Sequence, residues 1–181
     1  MWGAQVEVGA FPTSYIPTTS AALTRNADVA TMTGTNFSSW FNQSAGTFTA
    51  QAIVPQLGRA GRIFTVDAGA TTNMMDCTIS AGNSCALESI VGGSYIGFVG
   101  SAGTISANTS FKVCTAYSDA ATEAFSLNAN TTGTNSLSFY TSMTTLRFGA
   151  QAGGTFINGT LQKFNFYPQR LTNNEVQAFS K

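Results

Sequence analysis

Residues 154–171 read GTFINGTLQKFNFYPQRL, and this stretch decides the fold class. Its Asn158-Gly159 dipeptide is a strong turn signal, because a tight turn needs residues that tolerate positive φ. After it, Phe164 and Phe166 fall two apart, with Lys163 and Asn165 turned the other way, as on a half-buried strand. Pro168 cannot donate to a ladder and ends the strand. Thr172 and Glu175 have the spacing of a capping box, and Leu171 with Val176 that of a hydrophobic staple. A short helix is therefore expected to begin near Thr172.

Upstream, strand-sized runs recur roughly every 10 to 15 residues with turn chemistry between them. The runs 47–54, RIFTVD at 62–67, CALESIV at 85–91 and SYIGFV at 94–99 are strands, the last two flanking Gly92-Gly93 as a hairpin. SFKVCTAY at 110–117 sets Phe111, Val113 and Tyr117 against Lys112 and Cys114. EAFSLN at 123–128 and LRFG at 146–149 follow. Helical periodicity is absent until Thr172. The pattern is that of an all-β, antiparallel two-sheet β-sandwich with one short C-terminal helix.

Composition narrows the function classes. Only 9% of the residues are charged, against about 25% in an ordinary soluble domain. The surface must then be polar and uncharged. Eight acidic and eight basic residues balance, so electrostatic capture of nucleic acid or of an anionic membrane has no support. With no histidine, a His-dependent triad, a His general base and a His-ligated metal are excluded. Cys77 and Cys85 could close a hairpin-sized loop and leave Cys114 alone, but an odd count fits a reduced set equally well. Cys114, in a strand-like run, reads as a small core residue. No run approaches the ~18 consecutive apolar residues of a membrane span.

The N-terminal segment 1–25 reads MWGAQVEVGAFPTSYIPTTSAALTR. Ala4, Val6 and Val8 alternate with Gln5, Glu7 and Gly9 as a short strand. Phe11-Pro12 and Ile16-Pro17 then force extended backbone. Residues 1–26 are expected to form a strand and linker arm, and 27–181 the sandwich domain. The apolar and aromatic residues of the arm, Trp2, Val6, Val8, Phe11, Tyr15 and Ile16, are the candidates for packing against another chain.

Two parts of the chain carry a family resemblance. The spaced pattern Trp2, Gly3, Ala4, Gln5, Glu7, Gly9, then Thr13 to Thr18 and Arg25, resembles a WGAQ-x-E-x-G…TSYIPT junction of tailed-bacteriophage structural proteins. Phe37, Trp40, Phe41 and the GTF at 46–48, together with the turn, strand, Tyr-Pro stop and capped helix of 154–181, resemble concanavalin A-like (laminin-G-like) jelly-roll domains borne by phages. In such domains a lysine-bearing strand is followed by a strand ending at an Asn-Gly turn. Here Ala129 stands in place of the glycine, so a longer turn is expected.

The resemblance implies a non-enzymatic structural component of a virion, in a tail fibre, a spike or a capsid-surface decoration. It would be made in the host cytoplasm and displayed on the particle. Its partners would be other virion proteins and further copies of itself, as a trimer or lattice, with contact to host surface glycans in addition. The alternative is a dedicated carbohydrate-binding module for host receptors. Candidate glycan contacts are Trp40, Tyr95 and Tyr140 as ring platforms, with Asn135 as an amide partner. Trp40, between two phenylalanines, reads first as a core plug.

Enzymes occur on the same fold, and a retaining glycosidase needs two carboxylates about 5 Å apart. No E-x-D-x-x-E or equivalent occurs among the eight acids. Asp119 and Glu123 are nearest and read as solvated residues beside a turn. Calcium is the cofactor this resemblance would bring, and Asp67, Asp76 and Asp119 with Asn73 are its raw material. No loop of the sequence concentrates them, so no cofactor and no metal residue is assigned.

Overall fold

A computed structural model of the chain describes residues 6, 15–17, 20–23, 28, 30–120, 122–137 and 142–181. In chain order these hold β1 (Ala30–Thr33), α1 (Thr35–Ser38), β2 (Ala45–Ile53), β3 (Gly61–Asp67), β4 (Met74–Ile79) and β5 (Cys85–Val91). Then come β6 (Ser94–Gly100), β7 (Phe111–Ser118), β8 (Glu123–Leu127), β9 (Gly133–Asn135), β10 (Thr145–Phe148), β11 (Thr160–Tyr167) and α2 (Asn173–Phe179). The strands form two antiparallel sheets, β1-β10-β3-β4-β5-β6 and β11-β2-β7-β8-β9. This is the expected jelly-roll sandwich with its short C-terminal helix.

Alternation makes the core. Phe48, Ala50 and Ala52 of β2 lie opposite Thr115, Val113 and Phe111 of β7. Phe64 and Val66 of β3 lie opposite Cys77 and Met75 of β4 on the facing sheet, and all of these side chains are buried. Phe164 and Phe166 of β11 pack on Phe48 with centroids 5.6 and 4.8 Å away, as the alternation in 160–167 predicts. Such aromatic contacts add to area burial, about 0.5–1.5 kcal/mol a pair.

The other face of the five-stranded sheet carries small residues, Cys114, Ala116 and Ala124, and Leu171 together with Val176 of α2 packs on them. The Thr172 backbone N–H donates to Glu175 Oε2 at 2.8 Å, and the Glu175 N–H donates to Thr172 Oγ1, so the capping box is made. The Thr172 hydroxyl, which donates to Glu175 Oε2 at 2.7 Å, and then the Thr172 N–H hold the Glu175 carboxyl below its ordinary value.

The tight-turn reading of Asn158-Gly159 is corrected. Neither Asn158 nor Gly159 has positive φ; the left-handed glycines of this connection are Gly149, Gly153 and Gly154. Gly159 is needed for room instead, because a Cβ there would stand 2.4 Å from the Ile53 carbonyl oxygen. Strand β4 has no alternation to read, since all six of its residues are buried. Asn128 and Ala129 do sit in a left-handed turn, φ 49 and 58, inside a connection that is longer than two residues as expected. Ser180 pins it, accepting from the Ala129 N–H at 3.0 Å. Cys77, Cys85 and Cys114 are all free and buried. Burial pushes the Cys85 and Cys114 thiols up to about 12, which leaves them inert as nucleophiles.

Candidate functional site

The outward face of the six-stranded sheet gathers charge that the sequence scatters. Two bulges arrange it. In β3 the extra residue Ile63 lets both Arg62 and Thr65 point outward. In β6 the extra residue Ile96 does the same for Tyr95 and Phe98, opposite Ile90 and Glu88. Gly97, with φ 149, makes the second bulge possible, and a Cβ on it would press against Leu137 at 3.0 Å.

A stripe of polar contacts crosses the strands. Arg147 of β10 donates to Asp67 of β3 through Nε at 2.6 Å and Nη2 at 3.4 Å. Arg62 Nε donates to Asp76 Oδ2 at 3.0 Å, and Thr65 Oγ1 donates to Asp76 Oδ1. Arg62 Nη2 reaches Glu88 Oε2 at 3.7 Å, and Thr78 Oγ1 donates to Glu88 Oε1 at 3.4 Å. Beside Glu88, on the outermost strand, Tyr95 and Phe98 are 56% and 57% exposed. An exposed aromatic pair thus flanks a row of fixed donors and acceptors.

Burial raises the Asp76 carboxyl above its ordinary value, against the pull of Thr65 and Arg62. Burial likewise raises Glu88, with Arg62 opposing and Asp76 adding to the effect. Tyr95 is raised by burial and by the neighbouring Glu88. Asp67 and Asp76 are almost fully buried and spent on their partners; the Glu88 side chain keeps 27% exposure. The face therefore offers one reachable carboxylate.

Of the acids weighed for calcium, Asp67 and Asp76 share this face, where the sheet adds Glu88, while Asp119 lies apart from them. Cross-strand register was the missing information, because Asp76 and Glu88 are twelve positions apart in sequence yet directly opposite in the sheet. Among the described residues no group of three or more His, Cys, Asp or Glu is disposed to hold a metal ion. Glu123 corrects the expectation of a solvated residue. It is fully buried, accepts from the Leu137 N–H through Oε2, and its Oε1 has no hydrogen-bond partner among the described residues. Burial pushes its carboxyl up, and the Leu137 bond draws it back in part. Asp119 is exposed as expected.

Of the ring and amide candidates, Tyr95 stands on the stripe. Asn135 lies near it in space, but its amide is engaged: Nδ2 donates to the Phe98 carbonyl at 2.9 Å and Oδ1 accepts from the Ser136 N–H. Trp40 is elsewhere and half-buried, edge-on to Phe37 and Phe166 at 5.2 and 5.1 Å, with Nε1 donating to the Asn36 carbonyl. Tyr140 lies outside the described residues, as do Trp2, Val8 and Phe11 of the arm. Val6 and Tyr15 are exposed, and Ile16 is half-buried. Phe98, Arg62 and Arg147 were missed; the doubled apolar step Ile63-Phe64 inside an alternating run is the signal that marks the β3 bulge.

No family model matches the chain, and no curated protein matches it in sequence. Solved structures do match in fold. The carbohydrate-binding module CBM40 of a Ruminococcus gnavus sialidase, solved with α2,3 sialyllactose, aligns at TM-score 0.64 and 14% identity over 77% of this chain and 83% of that one. A heptameric SAP-like pentraxin from Limulus polyphemus aligns at 0.59 and 17%, over 76% and 71%. Domain 4 of an extracellular arabinanase from Geobacillus stearothermophilus, solved with arabinotriose, aligns at 0.61 and 11%, over 78% and 68%. At these identities the likeness is one of fold, the concanavalin A- and pentraxin-like jelly roll.

Proposed function

We propose that this chain is a non-catalytic structural domain of a tailed-phage particle that contacts surface glycans through the outward face of its six-stranded sheet. The observation that carries the reading is the exposed Tyr95–Phe98 pair beside Glu88 and the Arg62–Asp76 ion pair. Aromatic faces take the apolar side of a sugar ring, and fixed charged groups take its hydroxyls. Two of the three solved neighbours described above were crystallised with sugars. That supports the reading without assigning a ligand. The stripe sets two guanidiniums, Arg62 and Arg147, against three carboxylates, Asp67, Asp76 and Glu88. Its acid excess favours neutral sugars over sialylated ones.

Non-catalysis rests on access. A glycosidase needs two carboxylates that both reach the scissile bond, and Asp76 is held by Thr65 and Arg62 below the surface. The particle context rests on the WGAQ…TSYIPT resemblance, and in that context the N-terminal segment 1–26 is an assembly device. A glycan array tests the binding role. Wild-type protein is expected to retain neutral glycans weakly and with little dependence on salt. Tyr95→Ala is expected to weaken that binding at least about fivefold without moving the melting temperature, since the ring is more than half exposed. Binding that is unchanged in Tyr95→Ala, or polysaccharide cleavage that is lost in Glu88→Gln, would overturn the assignment.

A further inference from the structure

The two long sides of the sandwich are finished differently. Along β6 and β9 the sheets are tied: Asn135 Nδ2 bonds the Phe98 carbonyl, and Gly133 lies so close to Gly100 that any Cβ would overlap its carbonyl oxygen. On the opposite side β1 and β11 are the outermost strands of their sheets among the described residues. Between them lies a groove of ≈ 630 Å³ walled by Met32, Trp40, Phe148, Phe164, Phe166 and Pro168. Its rings are side walls of the main core: Trp40 meets Phe166 at 5.1 Å and Phe148 meets Phe164 at 4.9 Å. None of the described residues that line it is charged. Outermost strands also present unpaired backbone groups, which an extended segment satisfies by adding alongside.

The chain carries a segment of matching character. Residues 1–24 contain a single charge, Glu7, and the alternating apolar run Ala4, Val6, Val8 followed by Phe11, Tyr15 and Ile16. Val6 is 102% exposed, Tyr15 50% and Leu23 60%, so these residues do not fill the groove of their own chain. The segment leads directly into β1, the strand that carries Met32 on the groove wall.

We propose that the groove is the docking site for the N-terminal arm of a second copy of this chain. The arm adds an extended apolar stretch between β1 and β11 and completes the core where the single chain leaves it open. Trp40 is then neither a finished core plug nor a sugar platform but one wall of an intermolecular joint. Because arm and groove are different surfaces, the contact is heterologous and propagates from copy to copy, closing a ring or running on as a lattice. The inference rests on the assembly role proposed above, but its test leaves the Tyr95 face untouched, so failure of one does not imply failure of the other.

The experiment is light scattering on the full-length protein, with circular dichroism as the control for folding. Wild type is expected to have a mass of two or more chains. An arm variant, Val6→Asp with Tyr15→Asp, and a groove variant, Met32→Glu, are each expected to be folded monomers. Ser39→Glu, an exposed position on the groove rim, serves if Met32→Glu fails to fold. Mixing the two monomeric variants is the decisive step. The intact arm of one meets the intact groove of the other, so the mixture is expected to regain the mass of a two-chain complex. A monomeric wild type, an assembly that survives either variant, or a mixture that stays monomeric overturns the proposal.

Discussion

Glu123 shows how a single residue escapes a reading of sequence and then controls a property of the fold. It sits one step beyond the alternation of Phe125 and Leu127 and so faces the core of the five-stranded sheet. A carboxylate buried with one lone-pair atom unpartnered is costly when ionised, so the folded state holds its proton to a higher pH than the unfolded chain does. Its stabilising contribution is therefore complete below the ordinary carboxylate range and is lost as pH rises through the raised folded value. Asp76 and Glu88 carry the same sign. Thermal unfolding of wild type and Glu123→Gln across mildly acidic to neutral pH checks this. The melting temperature of wild type relative to the variant is expected to fall steadily as pH rises from about 4. A constant difference across that range would mean that Glu123 titrates alike in both states.

At the scale of elements, much of the architecture was legible. The strands at 62–67, 85–91, 94–99 and 160–167 and the helix capped by Thr172 and Glu175 were read because alternation and capping are local patterns. What was not legible depends on partners distant in sequence. Strand β4 is buried on both faces, and the bulges that aim Arg62, Tyr95 and Phe98 appear only in the pairing register. Asn158-Gly159 is the instructive case, because the dipeptide signals a turn while the structure uses its glycine for clearance. The two roles predict different mutants. Gly159→Ala must push β11 away from Ile53 and is expected to cost about 1–3 kcal/mol. Asn158→Ala, at an exposed position with ordinary φ, is expected to stay within about 0.5 kcal/mol. Denaturant unfolding distinguishes them, and equal losses at both positions would restore the tight-turn reading.

For the whole molecule, the division of labour follows from which surfaces are already used. The inner faces of both sheets make the core, and α2 covers Cys114, Ala116 and Ala124 on the outside of the five-stranded sheet. The open side between β1 and β11 is apolar and suits a protein segment. The outward face of the six-stranded sheet joins fixed ion pairs to exposed rings and suits a polyhydroxylated ligand. Few charges elsewhere leave this stripe as the main concentration of ionised groups among the described residues. The fold class was legible in the alternation. This face could not be read from the sequence, because its residues come from five strands, β10, β3, β4, β5 and β6.

If this face, and not the loops or the opposite sheet, meets a glycan, the strands that build it must respond to one. Backbone amide chemical shifts recorded while a bound neutral oligosaccharide is titrated in test it most directly. The perturbed amides are expected to cluster in Cys85–Val91 and Ser94–Gly100, with Arg62 and Asp76 beside them. Shifts confined to Thr160–Tyr167, to Asn173–Phe179 or to the connections between strands would contradict it.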